Sequence, residues 1–142
     1  QVLDLSWRPV LWAIPLSLTV VAILHANNWR DIAQDAERGA LTMAGLLGRK
    51  ASYPYYLLLI FGPYLVILFF VFLLPLVGDP DLVMPSTFLV AFLALPLALQ
   101  LARHARRPAT DPAFIALDGA TARYNLVFGL LCSLAAPLEA VL

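Results

Sequence analysis

Asn27, Asp31 and Asp35 recur at every fourth place, with Arg30 and Arg38 beside them. In a helix, residues four apart lie on one face, about 6 Å apart along the axis. No Gly or Pro interrupts residues 27–38, so the spacing predicts a helix with Asn27, Asp31 and Asp35 in one stripe. Arg38 falls close to the same face, and Gly39 offers the helix stop. Two carboxylates one turn apart repel each other. A divalent cation turns that repulsion into a site. Mg²⁺ takes oxygen ligands, keeps several waters and is commonly shared between one or two carboxylates and a phosphate. Asp31 and Asp35 are therefore candidate metal ligands, with Asn27 as a third, and the arginines are candidate polyanion contacts. The same spacing also suits a solvated charged face bridged by neighbouring ion pairs. The residue types alone leave both readings open.

The elements that carry this stripe are apolar. The chain has 142 residues, 62% hydrophobic and 13% charged, against about 45–50% and 25% in a soluble domain. That excess excludes a single soluble core and predicts an all-α, polytopic membrane bundle. A net charge of zero argues against a nucleic-acid partner. Cys132 alone makes neither an internal disulfide nor a zinc site. The first residue is Gln1, and no basic segment with a cleavage site follows it, so we expect no signal peptide and read residues 1–142 as a piece of a longer protein. Four stretches are apolar enough to be transmembrane helices: 10–26, 53–77, 82–102 and 121–142. Prolines inside them are tolerated in membranes, and Gly62-Pro63 predicts a kink.

The loops predict the orientation. Arg30, Arg38, Arg49 and Lys50 lie between the first two spans. Arg103, Arg106 and Arg107 lie between the last two, with Arg123 just beyond. With four spans these cations share one side, which the positive-inside rule makes cytoplasmic. The other side holds Asp4, Arg8, Asp79 and Asp81. Tyr53, Tyr55 and Tyr56, and Trp7 and Trp12, read as aromatic belts at the two interfaces. The span interiors lack Asp, Glu, Lys and Arg until near their ends, so the stripe is the concentrated ionisable site.

The run HANNWRDIAQDAERGALTMAGLLG resembles the second aspartate-rich motif of the UbiA superfamily of intramembrane prenyltransferases, most closely the menaquinone-biosynthesis branch that prenylates 1,4-dihydroxy-2-naphthoate. The matching residues are Asn27, Asn28, Arg30, Asp31, Asp35, Gly39, Thr42 and Leu47-Gly48. AIPLSLTVVAILHANN resembles the helix leading into that motif, and TARYNLVFGLL the start of the family's last helix. Ala40 stands where many members have Lys, and Leu41 precedes Thr42. The resemblance covers the family's C-terminal half only: four of nine spans, and one of two aspartate-rich motifs.

What the resemblance implies is a prenyltransferase. A polyprenyl diphosphate binds with its diphosphate bridged by Mg²⁺ to both motifs, an allylic cation forms, and it alkylates an aromatic acceptor. Asp31 and Asp35 would be catalytic as Mg²⁺ ligands. Asn27 would ligate metal or bind the diphosphate, and Asn28, Arg30, Arg38, Arg123 and Asn125 would contact the diphosphate. Each has an alternative. Arg30 can bridge to a neighbouring loop, Arg38 can pair with Asp35, Arg123 can snorkel to headgroups, and Thr42 can cap a helix rather than bind phosphate. His25 is expected to hydrogen-bond within the helix packing, His104 to face anionic headgroups, and Cys132 to pack. Tyr64, Phe69, Phe70 and Phe72 can line an isoprenoid path or face lipid. The implied partners are the two substrates, membrane lipid and the missing N-terminal half. The expected setting is a bacterial inner membrane with the motif on the cytoplasmic face. Without the first motif, the chain alone is expected to be inactive. The competing readings are a small four-helix transport or scaffold protein with a cytoplasmic-face cation site, and an inactive fragment. A transporter would place ionisable residues at mid-membrane in several helices, which this sequence does not.

Overall fold

A computed structural model describes residues 8–78 and 82–139, with the side chains of 136 and 139 excepted. All regular structure among the described residues is helical. The elements are α1 (Arg8–Trp12), α2 (Ile14–Arg30), α3 (Ile32–Glu37), α4 (Met43–Leu68), a π turn (Phe69–Leu73), α5 (Leu74–Val77), a 3₁₀ helix (Ser86–Ala94), α6 (Leu95–Ala105), α7 (Pro112–Ile115) and α8 (Leu117–Glu139). Two helical runs, Met43–Val77 and Ser86–Ala105, are long and apolar enough to cross a membrane. They correspond to the second and third expected spans. Trp7, Asp4, Asp79 and Asp81 lie outside the described residues.

The helix boundaries differ from the expected ones, and prolines explain two of the differences. The first stretch breaks at Ala13, between α1 and α2. Pro15 has no N–H, and its ring crowds the carbonyl four residues back. Residues 82–102 are not one α-helix, because the first part is 3₁₀. Pro96 cannot donate to the Phe92 carbonyl, and the Leu95 N–H takes that carbonyl instead. At Gly62-Pro63 the backbone remains helical, and the break in α4 falls at Gly48, with φ 68° and ψ 173°. Past Phe69 the helix widens. The Leu74 N–H bonds Phe69, five residues back. This frees the Phe70 carbonyl, which accepts from the Met84 N–H at 3.3 Å and ties the π turn to the next segment.

Helix α2 packs against both α4 and α8, and α8 packs in turn on the 3₁₀ helix. Small residues let the helices approach: Ala22 and Ala26 on α2, Ala91 and Ala94 on the 3₁₀ helix, and Ala98 on α6 are all buried. In membranes, where lipid is as apolar as Leu, such close contact replaces the hydrophobic drive. Three buried hydroxyls between helices are hydrogen-bonded, whereas His25, Trp29, Ser52 and Tyr64 keep polar atoms without a partner among the described residues. The Tyr56 hydroxyl meets Thr121 at 2.6 Å, Thr121 also donates to the Leu117 carbonyl, and Tyr124 donates to the Ile60 carbonyl. Tyr56 is thus a core residue, not a belt residue. Tyr53 is half-buried and accepts from Arg106 Nε at 2.6 Å. Trp12 donates to the Leu82 carbonyl and stacks edge-on with Phe88.

Candidate functional site

The predicted polar helix forms, with one local adjustment. α2 ends at Arg30, Asp31 has non-helical φ −97° and ψ 13°, and α3 begins at Ile32. The four-residue bonds run through the break: Asp31 N–H to Asn27, and Asp35 N–H to Asp31. The register of the stripe is therefore kept. α3 closes at Gly39, whose φ is 68°. The Ala40 N–H bonds the Asp35 carbonyl and the Gly39 N–H bonds Ala36, the paired bonds of a Schellman stop. Thr42 then caps α4, its hydroxyl accepting from the Gly45 N–H at 3.1 Å. The capping alternative for Thr42 is the one realised.

Arg30 is the hub. Nε and Nη2 donate to the two oxygens of Asp31, both at 2.8 Å. Nη2 also donates to Asn27 Oδ1 at 2.6 Å, and Nη1 donates to Asp118 Oδ2. Arginine carries donors only, so the Asn27 atom that faces it must be the oxygen. The amide NH₂ of Asn27 is then the group left to meet a ligand. Hydrogen bonds from Arg30 hold the Asp31 carboxyl below its usual range, with further help from the charges of Arg30 and Arg38. Asp31, then Asp118, raises Arg30 above its already high value. Arg30 is therefore engaged by protein groups, and the bridge it makes runs to the first turn of α8 rather than to a loop.

Asp118 is the residue that sequence reasoning missed. The fourth span was expected to begin at 121, which left Asp118 in a loop. α8 begins at Leu117, so Asp118 sits in its first turn. An aromatic contact holds it there. Phe114 on α7 meets the buried Trp29 ring edge-on at 5.0 Å, and Trp29 also contacts Tyr56. Asp111 caps α7 through the Ala113 N–H at 2.8 Å. A hint was present in the sequence: the positions three and four residues from Arg30 are Ala26, Asn27, Ala33 and Gln34, none of them acidic, so a second carboxylate for it has to come from elsewhere in the chain.

The other candidates are dispersed. Asp35 is half-buried one turn beyond Asp31. No ion pair joins it to Arg38 among the described residues. Arg38 instead lends its charge to Asp31. Asn28 is half-buried. Arg123 is exposed. Asn125 is hydrogen-bonded to Thr19 on α2, eight residues and so about 12 Å along the helix before Asn27. Neither Arg123 nor Asn125 joins the Arg30 cluster, because the earlier start of α8 carries both further down the helix. His25 is buried between Trp29 and Tyr55, beside the Ser52 backbone, and neither ring nitrogen makes a well-aligned hydrogen bond. The expected packing role holds, without the expected hydrogen bond.

The donor set suits a hard cation. Asp31 and Asp35 offer carboxylate oxygens only, which fit Mg²⁺ better than soft or imidazole-seeking metals. No cluster of three or more His, Cys, Asp or Glu gathers among the described residues. Two carboxylates leave most of a Mg²⁺ shell to water, phosphate or further protein groups.

Comparison with known proteins places these features in a family. The model of the UbiA prenyltransferase family matches residues 2–136. The chain is 38% identical over 127 residues to the UbiA prenyltransferase domain-containing protein 1 homolog of Drosophila melanogaster, covering 89% of this chain and 32% of that protein. It is 39% identical over 130 residues to the Homo sapiens UbiA prenyltransferase domain-containing protein 1, covering 92% and 34%, and 38% identical to the Mus musculus protein with the same coverage. The chain thus spans about a third of the length of these curated relatives.

Proposed function

Because the chain belongs to the UbiA prenyltransferase family, we propose that it forms the C-terminal part of a membrane enzyme that moves an isoprenyl chain from a polyprenyl diphosphate to an aromatic acceptor. Membrane location follows from the family and from the two apolar runs. One observation carries the substrate reading: a polar head site continues into an apolar exposed ladder on one face of α2. Asn27 and Asp31 stand at its top. Leu24, Val20 and Leu16 follow below at helical spacing, 61%, 45% and 36% exposed. An amphiphile with a charged head and a long apolar tail fits that succession.

Asp31 and Asp35 would hold Mg²⁺, with Asn27 as a third oxygen donor once Arg30 releases it. The metal supplies Lewis-acid and electrostatic stabilisation of the leaving diphosphate. The chain's own residues do the rest. The Asn27 NH₂ donates to phosphate oxygens, and Arg30 adds a cation where negative charge develops. The ladder on α2 orients the tail. The cationic loops, from Arg30 to Lys50 and from Arg103 to Arg107, support a cytoplasmic location for the head.

The N-N-x-R-D form supports 1,4-dihydroxy-2-naphthoate as the acceptor, with prenylation accompanied by loss of its carboxylate. The test is an assay of the full-length protein in lipid, with Mg²⁺, geranylgeranyl diphosphate and this acceptor. Asp31→Ala and Asp35→Ala should each lower turnover by about a hundredfold or more. Wild-type rates in either variant would reject the site, and turnover only with other aromatic acceptors would reject the naphthoate.

A further inference from the structure

Arg30 makes four hydrogen bonds: two to Asp31, one to Asn27 and one to Asp118. Three of them end on residues of the candidate metal site. Only the Asp118 bond ends elsewhere, on α8. A cation that takes the oxygens of Asp31 and Asn27 therefore competes for three of the four bonds and leaves the fourth in place. A cation placed at Asp31 would also repel an untethered arginine beside it. Asp118 counters this by supplying a second carboxylate that the metal site does not use.

We propose that Asp118 is a positioning residue: it tethers Arg30 at the site, so that the donors released when Asp31 and Asn27 turn to a cation become available to a diphosphate. The inference rests on the diphosphate reading above and adds to it a residue outside the matched motif. The geometry supports it on two counts. The guanidinium lies between carboxylates of two different elements, side-chain exposure being 29% for Arg30 and 27% for each Asp. The tether is also braced, since the Trp29–Phe114 contact fixes the segment before α8 to the helix that carries Arg30. A residue that merely linked two helices would not affect ligand affinity through Arg30. A tether would.

The probe is inorganic pyrophosphate with Mg²⁺, titrated into the full-length protein in nanodiscs and followed by calorimetry, with melting temperature measured on the same samples. Asp118→Asn should weaken pyrophosphate about tenfold, the loss of one charge-assisted contact. Asp118→Glu should restore most of it. In an Arg30→Gln background, Asp118→Asn should add nothing further, because both changes remove the same contact. Three results would overturn the tether. Asp118→Asn could leave affinity unchanged while Arg30→Gln weakens it. The two changes could add independently. Asp118→Asn could change the melting temperature alone. If the wild-type protein shows no Mg²⁺-dependent pyrophosphate binding, the diphosphate reading fails and the tether fails with it.

Discussion

Asp31 is held by the Arg30 guanidinium, with which a divalent cation at the proposed site would compete. Arg30 holds its pKa below the ordinary value of 3.8. A depressed carboxylate contributes stability above its unfolded pKa and loses it as pH falls through the folded value. With chelator present, the wild-type protein should therefore lose stability below about pH 4 more steeply than Asp31→Asn. Thermal melting from pH 3 to pH 6 measures this, and equal slopes would refute it. The pair was legible only in part. Arg30 and Asp31 are adjacent, so their encounter is a local matter. Asp118 is 88 residues away, and no local rule names it.

Gly39 and Thr42 show how the elements hold the site. Gly39 lies at φ 68°, and a Cβ there would meet nothing within 4 Å. Its cost on substitution is thus backbone strain alone. Gly39→Ala should destabilise by about 1 kcal/mol, with Gly39→Asn costing less. Thr42→Ala should cost a similar ~1 kcal/mol through the lost cap. Denaturation in detergent reads both. These two elements were legible, because a helix stop and a helix cap depend on a few neighbouring residues. The 3₁₀ helix and the π turn were not. Pro96 and Pro75 announce that carbonyls are disturbed nearby. Which donor satisfies each one depends on the packing of other segments, as the Met84 bond to Phe70 shows.

Trp29 joins the pieces at the scale of the molecule. It is buried, with Tyr56 of α4 on one side and Phe114 of α7 on the other. Trp29→Ala should cost about 3–5 kcal/mol and also loosen the segment that carries Asp118. Pyrophosphate affinity should fall with it in the variant that still folds at low temperature, whereas Trp29→Phe should retain both. The amino-acid sequence by itself determined the helical membrane class, the register of Asn27, Asp31 and Asp35, the stop at Gly39 and the resemblance to the family. These follow from composition, from a period of 3.6 residues and from short-range backbone chemistry. Only the tertiary structure decided that Tyr56 is core, that Asn125 bonds Thr19 away from the Arg30 cluster, and that Asp118 completes the Arg30 cluster. Each of these depends on which distant helix lies alongside, and that is set by the packing of small residues and buried rings across the whole bundle.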